Sequence, residues 1–264
     1  MFHPIIICFT LLAFLHFLEG MGFFFRSSGV IADNLVAGYT LQSSLGFLSR
    51  ILGLGFTPLF AYLADTRQID IGLSPVFYYY FVLIALMAIN MAGEKIFPVT
   101  FAHIVNHVSK GRSIFYAIRK TSIVFPVINT SIKAFNVASL FRLVLQAFCE
   151  TTAGLLVGSN RKYYAIIAIF AISYVPFYAC WPLICYLIVK FPDKPATFIA
   201  LSTFFTMASS VFQSLVFDPW MSSLSSSADE LSSSISLLIK LKFGAVLTAM
   251  ILTLPLFLIL DHFR

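Results

Sequence analysis

A few ionisable side chains stand inside long apolar stretches of this chain. Charged residues make up only 11% of the 264 residues, against 59% hydrophobic ones. Charge inside an apolar environment is costly unless it is paired or hydrated, so each such residue predicts a partner or a wet cavity. The basic ones are Arg26, Arg50, Lys95 and Arg142, and the others are Glu19, Glu94, Glu150 and His16.

The signs of these charges indicate which ligand such an interior could bind. Four possible cations face three carboxylates, and the guanidinium group of arginine suits bidentate binding of phosphate. We therefore expect the four basic residues to contact the headgroup of an anionic, phosphorylated ligand. We expect the three glutamates and His16 to act as charge partners or proton carriers. We expect no catalytic residue, metal site or cofactor.

Pairing within the protein is the alternative interpretation of the same residues. The adjacent Glu94 and Lys95 could mark the end of a helix. Positions 142, 146 and 150 share one helix face, because residues four apart stack along a helix. The pairs that this interpretation predicts are Arg50 with Glu19, and Arg142 with Glu150 through Gln146.

The elements that hold these residues are long apolar runs. The mean hydropathy is +0.93, and a helix needs about 20 apolar residues to cross the hydrocarbon core of a membrane. The sequence predicts an all-α, polytopic membrane protein, a single domain over 1–264 with about seven (six to eight) transmembrane helices around a polar, cationic cavity. The predicted spans are 4–25, 35–63, 75–105, 136–158, 163–189, 196–217 and 237–260.

The distribution of lysine and arginine between the predicted loops suggests an orientation. The stretch 106–135 carries five basic residues, whereas the serine-rich stretch 218–236 carries Asp229 and Glu230 and no basic residue. Cytoplasmic loops are enriched in basic residues. We therefore expect 106–135 to be cytoplasmic and partly interfacial, with Arg26 on the same side, and 218–236 to be an extracytoplasmic loop, with Lys242 outside.

Several short motifs occur in order along most of the chain. They are His16 to Val30 (HFLEGMGFFFRSSGV), Ser43 to Arg50 (SSLGFLSR), Pro58-Leu59, Asp65, Asp193 to Thr197 (DKPAT) and Val216 to Pro219 (VFDP). Together they resemble the alternate lipid II flippases of the Amj type. Arg26 and Arg50 match motif positions of that family, whereas Lys95 and Arg142 are nominated from charge and depth alone.

The resemblance implies a non-enzymatic transporter of the bacterial cytoplasmic (inner) membrane. Its cargo would be lipid II, the undecaprenyl-pyrophosphate-linked peptidoglycan precursor, moved to the outer leaflet for cell wall synthesis. The expected partners are lipid II or another polyprenyl-pyrophosphate-linked saccharide, and membrane lipids, with no nucleic acid. The alternatives are an intramembrane enzyme such as a polyprenyl pyrophosphate phosphatase, or a membrane scaffold without transport activity.

Overall fold

The computed structural model of the protein describes residues 4–67, 71–134, 161–223 and 228–262, and the isolated positions 136, 138, 141–143 and 145. Within these residues the regular structure is helical, as the sequence predicts. The helices are α1 (Pro4–Ile31), α2 (Leu35–Arg67), α3 (Leu73–Gly93), α4 (Phe97–Ser109), α5 (Ile114–Lys120), α6 (Val124–Ala134), α7 (Arg161–Lys190), α8 (Pro195–Phe212), a π-helical turn (Gln213–Phe217), α9 (Asp218–Ser223) and α10 (Ala228–His262).

Six helices among the described residues are long and apolar enough to cross a membrane. They correspond to six of the seven predicted spans, and they give the chain the transmembrane-helix character of a multi-pass membrane protein. The remaining predicted span, 136–158, lies almost entirely outside the described residues. The six ranges are Pro4–Ile31, Leu35–Thr66, Leu73–Gly93, Ala171–Lys190, Pro195–Trp220 and Asp229–Leu260.

The predicted helix over 75–105 is two helices, so this prediction was wrong. The helix α3 ends at Gly93, and α4 begins at Phe97 after a turn that contains Glu94 and Lys95. Gly93 lies so close to the Phe97 ring that a side chain there would collide with it. Pro98 lies in the first turn of α4, where its missing N–H costs no helical hydrogen bond. Glu94 and Lys95 therefore mark a helix end.

A close backbone contact joins α1 to α2. The backbone N–H of Asn34 donates a hydrogen bond to the Gly29 carbonyl (2.7 Å). The side-chain oxygen of Asn34 accepts one from the Ala37 N–H (2.9 Å) and so caps α2. A Cβ atom on Gly38 would lie 2.8 Å from the Cα of Gly29. Small residues allow transmembrane helices to approach this closely. The last turns of α1, including Arg26, are thereby fixed against the first turns of α2.

The contacts between helices define two ends of the bundle. At one end, here called the Arg26 end, Arg26 bonds to Ser222 and Glu94 bonds to Ser236. At the other, the groove end, the last residues of α2 and α7 and the first of α8 line a groove of about 650 Å³. Thus α1, α3 and α8 run from the groove end to the Arg26 end, and α2, α7 and α10 run back.

The stretch 218–236 is largely helical where a loop is predicted, and its predicted side conflicts with the side predicted for Arg26. It is helical over Asp218–Ser223 and again from Ala228, and Ser222 contacts Arg26, so it cannot lie on the opposite side from that residue. Serine hydroxyls bond back to the carbonyls of the preceding turn, as from Ser222 to Asp218 (2.7 Å) and from Ser233 to Glu230 (3.0 Å). This satisfies their polar groups without breaking the helix.

The membrane sides predicted for the loops also depended on an odd number of spanning helices. The end of α3 and the beginning of α7 both lie at the Arg26 end. The predicted span 136–158 between them lies almost entirely outside the described residues. Among the described residues of that region, the longest helix is α4, with 13 residues, which is shorter than a membrane span.

The basic stretch 106–135 forms short helices with outward apolar side chains. Phe115 of α5 is 82% exposed, and Phe125 of α6 is 74% exposed. Lys110, Arg112 and Arg119 are exposed in the same stretch. Apolar and basic groups in such proximity suit the boundary between lipid tails and anionic headgroups. The interfacial position of this stretch stays a prediction.

Candidate functional site

Arg26 is buried at the junction of α1, α2 and α9. Only 5% of the residue is exposed. Its Nη2 donates a hydrogen bond to Ser222 Oγ (2.7 Å), its Nη1 lies 3.9 Å from Asp218 Oδ1, and the guanidinium carbon lies 4.8 Å from the centre of the Tyr39 ring. One carboxylate and one aromatic face thus compensate this charge, since a ring face attracts a cation.

Arg50 links α2 to the π-helical turn that follows α8. Its Nη2 donates to Gln213 Oε1 (2.5 Å), where Gln213 is the first residue of that turn. Single π-helical turns interrupt the regular hydrogen-bond ladder and are frequent at functional sites. The sequence suggested Glu19 as the pairing partner of Arg50, but the bond that the structure gives is to a neutral amide.

Glu19 pairs instead with Lys242 of α10. The Oε1 and Nζ atoms lie 3.2 Å apart, and the two side chains are 11% and 1% exposed. The ammonium group also lies 4.8 Å from the centre of the Phe23 ring and 5.2 Å from that of Tyr174. Removing two charges from water is costly, so a pair this deeply buried is weak evidence for stability alone.

These side chains form one charged cluster, made of Glu19, Arg26, Arg50, Asp218 and Lys242. Arg50 is close enough to Glu19, Lys242 and Asp218 to interact electrostatically with all three. The cluster joins α1, α2, α9 and α10, and it contains three cations and two carboxylates. Lys242 supplies one of these cations, and Lys95 and Arg142 supply none; the cationic cavity stays a prediction.

A small cavity of about 20 Å³, with polar and apolar side chains in its wall, adjoins the cluster. This is enough for about one water molecule, which would need two to four polar partners. His16 contributes to its wall, and no described residue makes a hydrogen bond with the buried Nε2 atom of His16. The lining residues are Leu12, Leu15, His16, Glu19, Ser49, Arg50, Gly53, Phe177, Trp181, Thr206 and Ser209.

His16 is otherwise enclosed by aromatic rings of α7. Its ring centre lies 5.1 Å from that of Phe177 and 5.2 Å from that of Tyr178, both at nearly perpendicular angles. The histidine thus presents one polar edge to the cavity and packs its faces and other edges among apolar groups.

The remaining nominated residues lie elsewhere or outside the described residues. Lys95 is exposed in the turn after α3, and Glu94 accepts a hydrogen bond from Ser236 Oγ (2.7 Å). Arg142 is an exposed side chain. Glu150 and its suggested link Gln146 are not among the described residues. The structure therefore brings together Glu19, His16, Arg26 and Arg50.

Lys242 was missed by the sequence analysis, although the sequence carries a signal for it. One series of buried residues in α10 recurs every three or four positions, as expected for one helix face, and Lys242 stands in that series. Its members are Leu231, Ile235, Leu238, Lys242, Ala245 and Ala249.

Comparison of the chain with protein-family models, with curated proteins and with solved structures finds no match. The fold and the site therefore define the class without help from relatives. The chain is a helical protein of multi-pass membrane character whose interior holds a charged cluster. Among the described residues, no group of three or more His, Cys, Asp or Glu side chains is placed to hold a metal ion.

Proposed function

We propose that the protein is a flippase for an anionic, polyprenyl-linked lipid, with lipid II as the cargo that the motif resemblance favours. One observation carries the proposal. The two arginines nominated as headgroup contacts, the buried Arg26 and the half-buried Arg50, both belong to the charged cluster, which contains three basic and two acidic side chains.

A pyrophosphate-linked sugar does not cross hydrocarbon unaided, because its charges and hydroxyl groups would lose their hydration. A protein that moves it must offer cations at membrane depth, and such residues are rare there unless they have a function. The charged cluster lies between helices that are long enough to span. It therefore supplies the cations that the headgroup would need on its way across the membrane.

The apolar tail of the cargo needs a separate surface. The groove at the groove end opens between α2, α7 and α8, and it is lined mainly by aliphatic side chains and prolines, with Tyr62 and Asp65 as its polar members. Its volume of about 650 Å³ falls in the usual range for pockets that hold organic ligands. We propose that part of the polyprenyl chain lies there.

The positive-inside rule suggests the orientation of the protein, and from this we derive where the cargo would enter and leave. The basic stretch that contains Lys110, Arg112 and Arg119 follows α4, which starts at the Arg26 end. We propose that the Arg26 end faces the bacterial cytoplasm, since cytoplasmic loops carry the excess of lysine and arginine. Lipid II would then enter at the Arg26 end and leave at the groove end, in the outer leaflet of the inner membrane.

The test is lipid II export in bacteria depleted of their other flippases. Arg26→Gln combined with Asp218→Asn removes a cation together with its carboxylate, so no unpaired charge is left behind, and Arg50→Gln removes the second cation. We expect cells that express either variant at normal levels to lose outer-leaflet lipid II. Arg119→Gln, at an exposed arginine of α5, is the matched control and should export normally. Normal export by both interior variants would refute the headgroup role.

A further inference from the structure

We infer that Lys242 and Arg50 form a binding site for a phosphate-type anion, and that Glu19 occupies this site as an internal counterion. The inference rests on the proposed function in that it names the cations that would take the headgroup. It also adds a residue, Lys242, that the motifs do not include and that was not nominated from the sequence.

The first argument is the supply of hydrogen-bond donors. An ammonium group has three donors and a guanidinium group has five. Lys242 Nζ makes an ion pair with Glu19, and no described residue accepts a hydrogen bond from it in good geometry. Arg50 gives one hydrogen bond, from Nη2 to Gln213, among the described residues. Both cations therefore retain donors that an anion with several oxygens could use.

The second argument is the position of Glu19. Its carboxylate contacts Lys242, lies within electrostatic range of Arg50 and His16, and borders the small cavity. An incoming phosphate could take its place between the two cations. Because one anion would replace another, the two cations would stay compensated, and a proton taken up by the displaced Glu19 would neutralise its carboxylate, so that no uncompensated charge is left in the interior.

The third argument concerns the free-energy difference between the two arrangements. The desolvation cost of a buried ion pair offsets much of its Coulomb energy. Exchanging Glu19 for an external anion is therefore close to balanced, as a transport cycle requires. The cavity of about 20 Å³ is too small for phosphate, so exchange needs the helices around it to separate. The π-helical turn that holds Gln213 is a suitable place for such a movement.

The exchange also links the anion to a proton. A protonated Glu19 would no longer compete for the cations, so anion binding favours protonation, and protonation favours anion binding by the same factor. The titratable and charged groups around Glu19 come from its own helix, α1, and from four others. They are His16 on α1, Arg50 on α2, Tyr174 and Tyr178 on α7, Lys242 on α10, and Asp218 on α9, which interacts with Arg50.

The test measures sulfate binding by calorimetry, with the full-length protein in nanodiscs. Sulfate resembles phosphate in shape and keeps its charge between about pH 5 and 8, so any pH dependence comes from the protein. We expect tighter binding as the pH falls. Glu19→Gln should bind about tenfold more tightly than the unchanged protein and lose this pH dependence. Lys242→Gln should bind about tenfold more weakly, as expected for one lost charge-assisted hydrogen bond.

Three further variants keep the test decisive if a single change harms folding. Glu19→Gln with Lys242→Gln removes both charges of the pair and should bind more tightly than Lys242→Gln alone, because no carboxylate then competes for Arg50, but more weakly than Glu19→Gln. Lys242→Arg keeps the cation and should retain binding. Lys240→Gln, two positions earlier on the same helix, is the matched control and should leave binding unchanged. Weak binding by Lys242→Arg, or unaltered binding by Glu19→Gln, would overturn the inference.

Competition against labelled sulfate separates the two sources of the anion. Displacement by undecaprenyl pyrophosphate in the nanodisc supports a lipid headgroup, and displacement by inorganic pyrophosphate alone supports a free ion. Displacement by neither would overturn the anion site. If sulfate binds as expected while the arginine variants still export lipid II, the proposed function fails and the anion site stands. If export is lost but sulfate binding does not depend on Lys242, the anion site fails alone.

Discussion

The contact between α1 and α2 can be tested by one added methyl group. A Cβ atom on Gly38 would lie 2.6 Å from the Phe25 carbonyl oxygen. Close carbon-to-oxygen contacts in proteins are about 3.3–3.6 Å, so the backbones would have to separate by about 0.7 Å. Neither atom belongs to a flexible side chain, so the strain cannot be relieved by a change of rotamer. Overpacking of this kind costs about 1–3 kcal/mol.

The control for Gly38→Ala is Gly46→Ala on the same helix. A Cβ atom on Gly46 would meet nothing within 4 Å. Both substitutions gain about 0.5–1 kcal/mol from the better helix propensity of alanine. The difference between the two variants therefore isolates the packing cost, and we expect it to be about 1–3 kcal/mol.

The assay is unfolding by sodium dodecyl sulfate in mixed micelles, followed by circular dichroism. Gly38→Ala should unfold at a lower detergent fraction than the unchanged protein, or at most equally, and Gly46→Ala at the same fraction or a higher one. If the two variants unfold together, the helices can separate without cost. The reasoning from close packing would then be wrong.

Three further predictions follow from other described contacts. Tyr80→Phe removes a buried hydroxyl that is hydrogen-bonded to Thr253, and it should lower the free energy of unfolding by about 1 kcal/mol in the same assay. Tyr79→Phe removes a buried hydroxyl with no described partner and should be neutral or stabilising. Equal losses of stability would contradict this. Glu19→Gln or Lys242→Gln alone should lower the free energy of unfolding by about 3–5 kcal/mol, and the double variant should lower it clearly less. A double variant that loses the sum of the two single losses would argue against a buried pair. Phe115→Trp should give fluorescence that nitroxide lipids quench at headgroup depth, and unquenched emission would place α5 in water.

The helical class and four residues of the site, His16, Glu19, Arg26 and Arg50, could be predicted from the sequence. Arg26 and Arg50 are noticeable because each stands within or beside an apolar run long enough to span a membrane. Their partners could not be identified in this way. Arg26 bonds to a residue 196 positions away and Arg50 to one 163 positions away, and such pairs depend on helix packing that no local pattern reveals.

Lys242 shows how a correct pattern can be misread. It lies five residues inside the predicted span 237–260 and was counted among the basic residues at its outer end. The helix α10 begins at Ala228, nine residues before the predicted start, so Lys242 lies several turns inside it. The apolar periodicity over Leu231 to Ala249 would have placed it on the buried face, but the run of serines concealed the start of the helix.

Lys95 was mispredicted for the opposite reason. The apolar run over 75–105 is continuous enough to suggest one helix, and its middle would be at membrane depth. Only the packing of the Phe97 ring against Gly93 shows that the chain turns there, which leaves Lys95 exposed. Hydropathy averages over such turns, whereas steric contact between neighbouring residues determines them.

The opposite directions of the spanning helices have a consequence for symmetry. Among the described spanning helices, α1 to α3 form a series that starts at the groove end with α1, and α7, α8 and α10 form a series that starts at the Arg26 end with α7. Each helix of the second series therefore runs opposite to the corresponding helix of the first, and α2 packs against its counterpart α8. Inverted halves are common among transporters, in which rocking of one half against the other exchanges the inward-open and outward-open states. In such an arrangement, the inward-open and outward-open states have similar free energies, and the protein passes between them by tilting one half rather than by refolding.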